Sequence, residues 1–238
     1  MICIYSNPNF AIFDQVLDKQ SFDTLGSMIE SAQYKRTNLE EWITVYKNLD
    51  GSPLESSRFS SENLNIQTKG IEDQSGLVGF SRALNQVCSD YSPIVGQRKK
   101  DWSHYTGRIT LYSQGTKLSW HQDGPGRTGA YVYFAHREWN VQWGGELCLA
   151  DSLANNDELS NESQEWNAIK QKNQHIDNSL QNRLLLKNGF GHYVQPKPNR
   201  LVIFNSKVHY MINRVDASAG NHFRVTVSGF FIKGEGGK

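Results

Sequence analysis

Hydrophobic and polar positions divide the chain into a helical first third and a strand-rich remainder. Between residues 10 and 35, apolar side chains recur every three or four positions, which predicts one or two amphipathic helices. Residues 77–87 repeat this spacing and predict a further helix. The intervening residues 36–73 are rich in Asn, Ser and Glu and carry a turn signal at residues 50–53, so we expect short extended pieces there.

From residue 107 the pattern changes to short apolar or alternating runs separated by turns. Alternation of apolar and polar residues is typical of strands with one buried face, and β-branched runs favour the same structure. Several such strands in succession predict a β-barrel or a β-sandwich. The predicted strands cover residues 108–112, 130–134, 146–149, 200–204, 209–212 and 224–232.

Residues 151–191 interrupt the strands with a segment rich in Asn, Gln and Ser. Apolar residues between Trp166 and Leu184 give it a weak helical periodicity, so part of it is expected to form a helix. Connections of this length are usually functional or disordered. The pattern leaves two interpretations open, a solvated surface insertion and an active-site lid.

Length and charge limit the classes of protein that fit. The 238 residues fit one domain over residues 1–238, and 25 basic against 24 acidic side chains leave a net charge of +1. No broad basic field is therefore expected to bind nucleic acid or an anionic membrane. The three cysteines, Cys3, Cys88 and Cys148, are too scattered for a disulfide framework or a thiolate metal site. The lack of a secretory signal pattern and of any apolar run of membrane length favours a cytoplasmic protein.

The candidate chemistry lies in the strand-rich part. His121 and Asp123 are two residues apart, so at a strand end both can face one ion, and His209 would reach the same place from another strand. Two imidazoles and one carboxylate form the facial triad that holds non-haem Fe(II). Because a His-x-Asp tripeptide also occurs by chance in many chains, its sequence context has to carry the assignment.

Part of that context is a polar face on the last predicted strand. Arg224, Thr226 and Ser228 alternate with Val225 and Val227, so the two sets point to opposite faces. An arginine can bind a carboxylate through two parallel hydrogen bonds. Its alternative role is a structural ion pair, which the neighbouring hydroxyl groups make less favourable.

Residues 107–233 resemble the iron(II)- and 2-oxoglutarate-dependent oxygenases, in particular their prolyl-hydroxylase-like branch. The resemblance rests on five segments that occur in the family's order. It implies a mainly β fold with α support: a double-stranded β-helix, a jelly-roll or cupin-like barrel, buttressed by N-terminal helices within residues 1–106. The matching segments are residues 108–123, 131–139, 144–149, 198–209 and 224–231.

The resemblance also implies the metal ligands. His121, Asp123 and His209 match the residues that bind iron in the family. Halogenating members have a small residue in place of the carboxylate, so the presence of Asp123 favours hydroxylation or another oxidation that begins with hydrogen abstraction.

The cosubstrate residues follow in the same way. Arg224 matches the residue that binds the distal carboxylate of 2-oxoglutarate, and Tyr112 and Thr226 match positions that contact this molecule. One position departs from the family pattern. Phe134 stands where some prolyl hydroxylases have a tyrosine that assists the arginine, and the neighbouring Tyr133 would face the other side of the strand.

The resemblance implies Fe(II), 2-oxoglutarate and O2 as cofactors, with ascorbate as a candidate reductant. We expect hydroxylation of an unactivated C–H bond of a small molecule or amino acid, with succinate and CO2 as coproducts. The alternatives are a protein or peptide prolyl hydroxylase and, in another class, a non-catalytic barrel that only binds a ligand. Residues 151–191 are expected to help enclose the substrate. Candidate substrate contacts are Arg127, Trp120, Tyr133 and Trp139.

Overall fold

The computed structural model describes residues 1–37, 49–64, 75–150, 185–186 and 189–234. The predicted helix between Trp166 and Leu184 lies outside the described residues. The described strands are β1 (Ile2–Ser6), β2 (Phe10–Asp14), β3 (Lys35–Arg36), β4 (Leu54–Glu55), β5 (Phe59–Ser60), β6 (Trp102–Tyr112), β7 (Leu118–His121), β8 (Arg127–Phe134), β9 (Leu147–Ala150), β10 (His192–Val194), β11 (Arg200–Asn205), β12 (His209–Ile212) and β13 (Arg224–Lys233).

These strands form two sheets. The larger sheet has nine strands in the order β1-β2-β11-β8-β13-β6-β4-β3, with β5 also paired to β6. The smaller sheet has the order β10-β9-β12-β7. The two sheets face each other across one apolar cluster, to which β8 contributes Val132 and Phe134 and the smaller sheet contributes Leu149 and Ile212. Among the described strands the two sheets do not close into a barrel, which differs from the predicted barrel.

The other face of the larger sheet is covered by helices α1 (Lys19–Ser31), α2 (Ser75–Asp90) and α3 (Ser92–Val95). Leu25 and Phe80 of these helices are fully buried in one cluster with Tyr131 and Val227 of the sheet, so the predicted helical support is confirmed. Gly76 lets α1 and α2 pack closely, because a Cβ there would lie 2.6 Å from the Cα of Leu25. No helix in the described ranges is long and apolar enough to cross a membrane.

The first predicted helix begins later than its periodicity indicated. Phe10–Asp14 is a strand whose five residues are all buried, and it pairs with both β1 and β11. A short strand that is buried on both faces is continuously apolar, and such a run is difficult to distinguish from part of a helix. The helix itself begins at Lys19, where the Asp18 carboxylate accepts a hydrogen bond from the Ser21 N–H at 2.8 Å.

Candidate active site

His121 lies at the end of β7 and is buried. Its Nδ1 is 2.8 Å from the carbonyl oxygen of Ser119, and because a carbonyl only accepts, Nδ1 carries the proton. The Nε2 atom therefore keeps its lone pair. Burial lowers the pKa of His121 to about 4, so the imidazole is neutral at pH 7. A neutral histidine whose Nδ1–H is held by a carbonyl oxygen has its Nε2 lone pair oriented to bind a metal.

Asp123 follows β7, and only 2% of its side chain is exposed. Its Oδ1 accepts hydrogen bonds from Arg127 Nη1 at 3.0 Å and from the Tyr210 hydroxyl at 3.2 Å. Its Oδ2 is buried and has no hydrogen-bond partner among the described residues. Burial raises the pKa of Asp123 to about 6, although the Arg127 charge and the Tyr210 hydrogen bond oppose the shift. A buried, unsatisfied carboxylate oxygen is costly without a ligand, so this atom is a candidate cation ligand.

Tyr210 is a member of the site that the sequence patterns did not identify. Strand pairing places it directly opposite His121, and its ring centroid lies 4.1 Å from that of the imidazole. Its hydroxyl donates to Asp123, so one side chain contacts both residues of the His-x-Asp motif. A correct pairing of β7 with β12 would have identified it, but the sequence does not specify that register.

His209 begins β12 and is 1% exposed. It pairs with Ala150 of β9, whereas its neighbour Tyr210 is the residue opposite His121. His209 is near enough to act electrostatically on His121: burial is the main cause that lowers the pKa of His121, the Ser119 hydrogen bond opposes the shift, and His209 adds to the lowering. However, within the described ranges no three His, Cys, Asp or Glu side chains are grouped closely enough to hold a metal ion. The structure thus brings His121 and Asp123 together and leaves His209 beside them.

Arg224 begins β13 and is fully buried. Its Nε donates to the carbonyl oxygen of Gly145 at 2.5 Å. Its guanidinium carbon lies 5.3 Å from the ring centroid of Tyr112, the residue opposite it in β6, and 4.9 Å from that of Phe134. Phe134 therefore contacts the arginine through its ring, at the position where a tyrosine would offer a hydroxyl.

The polar face predicted on β13 is present. Thr226 is buried opposite Thr110 and Phe134, on the side of the sheet that faces the smaller sheet. Val227 belongs to the cluster on the helix side, and Val225 packs against that cluster. The predicted alternation of side chains is therefore confirmed.

A pocket that is partly open to solvent lies between the two sheets. His121, Asp123 and Tyr210 lie on its wall, together with Tyr112 near the Arg224 end. Part of the wall is apolar and part is polar, so the pocket suits a ligand with both kinds of surface. The apolar part consists of Leu118, Ala130, Val132, Phe204, Ile212 and Phe230, and the polar part includes Thr106, Arg108, Thr110, Ser228 and Glu55.

The candidate substrate contacts have different positions. The Arg127 guanidinium donates to Asp123 and lies 3.6 Å above the Phe230 ring, so it positions the carboxylate. Tyr133 lies on the helix side of β8, where it packs on Phe80, and this placement differs from the predicted substrate contact. Trp139 donates its ring N–H to the carbonyl oxygen of Gly144 at 3.0 Å.

None of the four candidate substrate contacts, Arg127, Trp120, Tyr133 and Trp139, is among the described residues of the pocket wall. For Tyr133 the reason is strand alternation, because its neighbours Val132 and Phe134 take the side that faces the smaller sheet.

Residues 107–232, more than half of the 238-residue chain, match the family model of the 2OG-Fe(II) oxygenase superfamily. The chain belongs to this superfamily, and the family assignment made from the motifs is confirmed. The protein is a 2-oxoglutarate-dependent dioxygenase, and its cofactors are Fe(II), 2-oxoglutarate and O2. No curated protein matches the chain in sequence.

Solved structures with a similar fold include prolyl hydroxylases. One is from Trichoplax adhaerens, in complex with a peptide fragment of the hypoxia inducible factor oxygen degradation domain (TM-score 0.58, 14% identity, 95% of this chain and 84% of that chain covered). A prolyl-4-hydroxylase from Pseudomonas putida has a TM-score of 0.54 at 12% identity, over 95% of this chain and 93% of that chain. AviO1 from Streptomyces viridochromogenes Tue57 has a TM-score of 0.56 at 14% identity, over 97% and 92%. These similarities establish the fold, a double-stranded β-helix, as predicted.

Proposed function

We propose that this dioxygenase hydroxylates an unactivated C–H bond of a small molecule or amino acid, and that His121, Asp123 and His209 bind its Fe(II). The observation that carries the proposal is the buried Asp123 Oδ2, which has no hydrogen-bond partner among the described residues and lies in the same pocket wall as His121. A carboxylate oxygen and a neutral imidazole nitrogen are two of the three donors of the facial triad.

His209 would supply the third donor. Its donor chemistry fits, because burial lowers its pKa to about 4 and keeps the imidazole neutral. It begins β12, next to Tyr210, and it acts electrostatically on His121, so it lies near the other two proposed ligands. Because no three such side chains are grouped among the described residues, metal binding would have to draw the three proposed ligands together.

Arg224 would bind the distal carboxylate of 2-oxoglutarate, with Tyr112 and Thr226 beside it. A buried guanidinium between two aromatic rings is in a low-dielectric setting, where a carboxylate is bound strongly. Iron held by these residues, with 2-oxoglutarate and O2, would supply the oxidising chemistry for the hydroxylation, with succinate and CO2 as coproducts.

The protein's own contribution is positioning and exclusion of water. Arg127 and Tyr210 both donate to Oδ1 of Asp123, which leaves Oδ2 available to a metal ion. The apolar side chains of the pocket wall would hold the reacting carbon in a dry environment. The enclosure of substrate by residues 151–191 stays a prediction, since residues 151–184 lie outside the described residues.

A peptide prolyl hydroxylase is the second candidate function. It is favoured by the fold similarity to prolyl hydroxylases, one of them solved with a peptide. The two functions differ in the substrate they require, and the test must therefore include both substrate classes.

The test is anaerobic addition of Fe(II) and 2-oxoglutarate, followed by measurement of the metal-to-ligand absorbance. After O2 is admitted, succinate release is measured with small molecules and free amino acids and, separately, with prolyl peptides. The wild-type protein is expected to give the absorbance, and His121→Ala and His209→Ala are expected to lose it. His104→Ala is the control, because His104 lies opposite Ile232 near the start of β6, at the other end of this strand from Tyr112. Absence of the absorbance in the wild type contradicts the proposed function, and its survival in His209→Ala contradicts the third ligand alone.

A further inference from the structure

The pocket that contains His121 and Asp123 also contains a buried ion pair. Arg108 Nη1 contacts Glu55 Oε2, and the two side chains are 11% and 3% exposed. Both residues belong to the pocket wall. Their role is not explained by the metal ligands or by the proposed cosubstrate residues.

The pair is held in place by the backbone. Glu55 of β4 lies opposite Thr110 of β6, so Arg108, two residues along β6, is its diagonal neighbour on the same face. After β4, the Ser56 N–H donates to the Ile109 carbonyl at 2.9 Å, and the Ser56 hydroxyl accepts from the Ile109 N–H at 3.0 Å. These two bonds fix β4 against β6 and therefore fix the two charges in the wall.

Stability alone is a poor explanation for this arrangement. Removing two charges from water has a large desolvation cost, and an apolar pair of similar volume is often as stable. The Arg200–Asp14 pair shows what a structural pair looks like in this protein. It joins β11 to β2, its N–O distance is 2.7 Å, and neither residue belongs to the pocket wall.

The surroundings of Arg108 are basic. A surface depression beside the pocket is lined by Lys35, Arg58 and Arg108 with two serines, and it shares Arg58 and Arg108 with the pocket. This group of positive charges would attract a carboxylate toward the pocket. Glu55 adds one buried negative charge next to it, which would attract an ammonium group.

We propose that Arg108 and Glu55 bind the carboxylate and the ammonium group of a free amino acid, which is the substrate. A guanidinium has five N–H donors and a carboxylate has two acceptor oxygens, so each can contact its ion-pair partner and the ligand together. The amino acid's side chain would then lie along the apolar wall toward His121 and Asp123. This inference rests on the proposed function and narrows its substrate class.

The first experiment measures succinate release by the Fe(II)-loaded enzyme with 2-oxoglutarate and a panel of compounds. The panel contains free amino acids, their amides, their N-acetyl derivatives and capped prolyl peptides. At least one free amino acid is expected to stimulate release, and its amide and N-acetyl derivative to stimulate it at least about tenfold less, since each lacks one charge. Equal stimulation by the neutralised derivatives or by capped peptides overturns the proposal, and so does a lack of stimulation by every free amino acid.

The second experiment uses the double variant Glu55→Gln/Arg108→Met. It removes both charges together, so no buried charge is left without a partner and the fold is retained. The KM for the stimulating amino acid is expected to rise at least about tenfold, while the KM for 2-oxoglutarate and the anaerobic absorbance stay within about twofold of wild type. Asp14→Asn/Arg200→Met is the matched control, because it removes both charges of the Arg200–Asp14 pair away from the pocket and is expected to leave the amino acid KM unchanged.

The outcomes separate the two proposals. An unchanged amino acid KM in the double variant, or a rise in the 2-oxoglutarate KM instead, overturns the amino acid subsite while the dioxygenase function stands. Loss of the anaerobic absorbance in the wild-type protein contradicts the proposed function, and the subsite with it.

Discussion

The two faces of β6, β8 and β13 differ in what they bury. On the helix side, Tyr131, Tyr133 and Phe231 are fully buried against helices, and the tyrosine hydroxyls donate to Thr106 and Asn199. On the pocket side, the same strands bury charged and hydroxyl side chains, among them Arg108, Thr110, Arg224 and Thr226. Because strand residues alternate, each strand serves both faces at once.

The helix side of these strands therefore contributes mainly to the stability of the fold, and the pocket side contributes mainly to ligand binding. Apolar burial on the helix side stabilises the fold by roughly 25 cal/mol for each Å² removed from water. Burial of Arg108 and Arg224 on the pocket side has a desolvation cost that ligand contacts can offset. Substitutions on the helix side should therefore change unfolding, and those on the pocket side should change ligand binding.

The largest effect is expected for Phe80→Ala on the helix side. Phe80 is fully buried, and its ring lies 5.7 Å from that of Tyr131 and 5.0 Å from that of Tyr133. Truncation should lower the free energy of unfolding by about 3–5 kcal/mol, because it removes apolar contacts and leaves a cavity. Urea unfolding measures this loss, and the 2-oxoglutarate KM of the folded protein should stay within about twofold of wild type.

Val78→Ala is the control on the same helix, since Val78 is 41% exposed and should lose little on truncation. A loss below about 1 kcal/mol in Phe80→Ala would contradict the view that the helix side carries the stability.

A smaller effect, on ligand binding rather than on unfolding, is expected for Arg224→Met on the pocket side. The substitution removes the charge between the Tyr112 and Phe134 rings and keeps an apolar side chain in its place. The 2-oxoglutarate dissociation constant should rise at least about thirtyfold, or about 2 kcal/mol, because a buried charged contact is lost. Anaerobic titration of 2-oxoglutarate into the Fe(II)-loaded protein measures it.

The free energy of unfolding of Arg224→Met should be equal to or above that of wild type, since a buried charge has been removed. If the variant instead binds 2-oxoglutarate normally and unfolds more easily, Arg224 is a structural residue and the two faces do not differ as described.

Some of this contrast can be predicted from the sequence. The alternation of Arg224 and Thr226 with Val225 and Val227 assigns both faces of β13, because a period of two needs no tertiary information. The spacing of His121 and Asp123 similarly predicts that they share a wall.

Features that depend on strand register or on remote segments could not be predicted. Glu55 lies in a two-residue strand, and only its pairing with β6 brings it to Arg108. Phe10–Asp14 was assigned to a helix because an apolar run buried on both faces has no clear period. Tyr210 and His209 are adjacent in sequence, and the pairing of β12 with β7 decides which of them is opposite His121.

The smallest effect is expected for Tyr210→Phe, which tests how the smaller sheet serves the pocket. The variant keeps the ring against His121 and removes only the hydroxyl that donates to Asp123 Oδ1. If Asp123 binds Fe(II) as proposed, loss of the hydroxyl that orients its carboxylate should weaken Fe(II) affinity about tenfold, in an anaerobic Fe(II) titration at saturating 2-oxoglutarate. Tyr193→Phe, at an exposed tyrosine of the same sheet, is the control. If the Fe(II) affinity is unchanged, Arg127 alone orients Asp123. If the Fe(II) affinity rises, the Tyr210 hydroxyl competes with the metal for the carboxylate. Either result contradicts the positioning role of Tyr210.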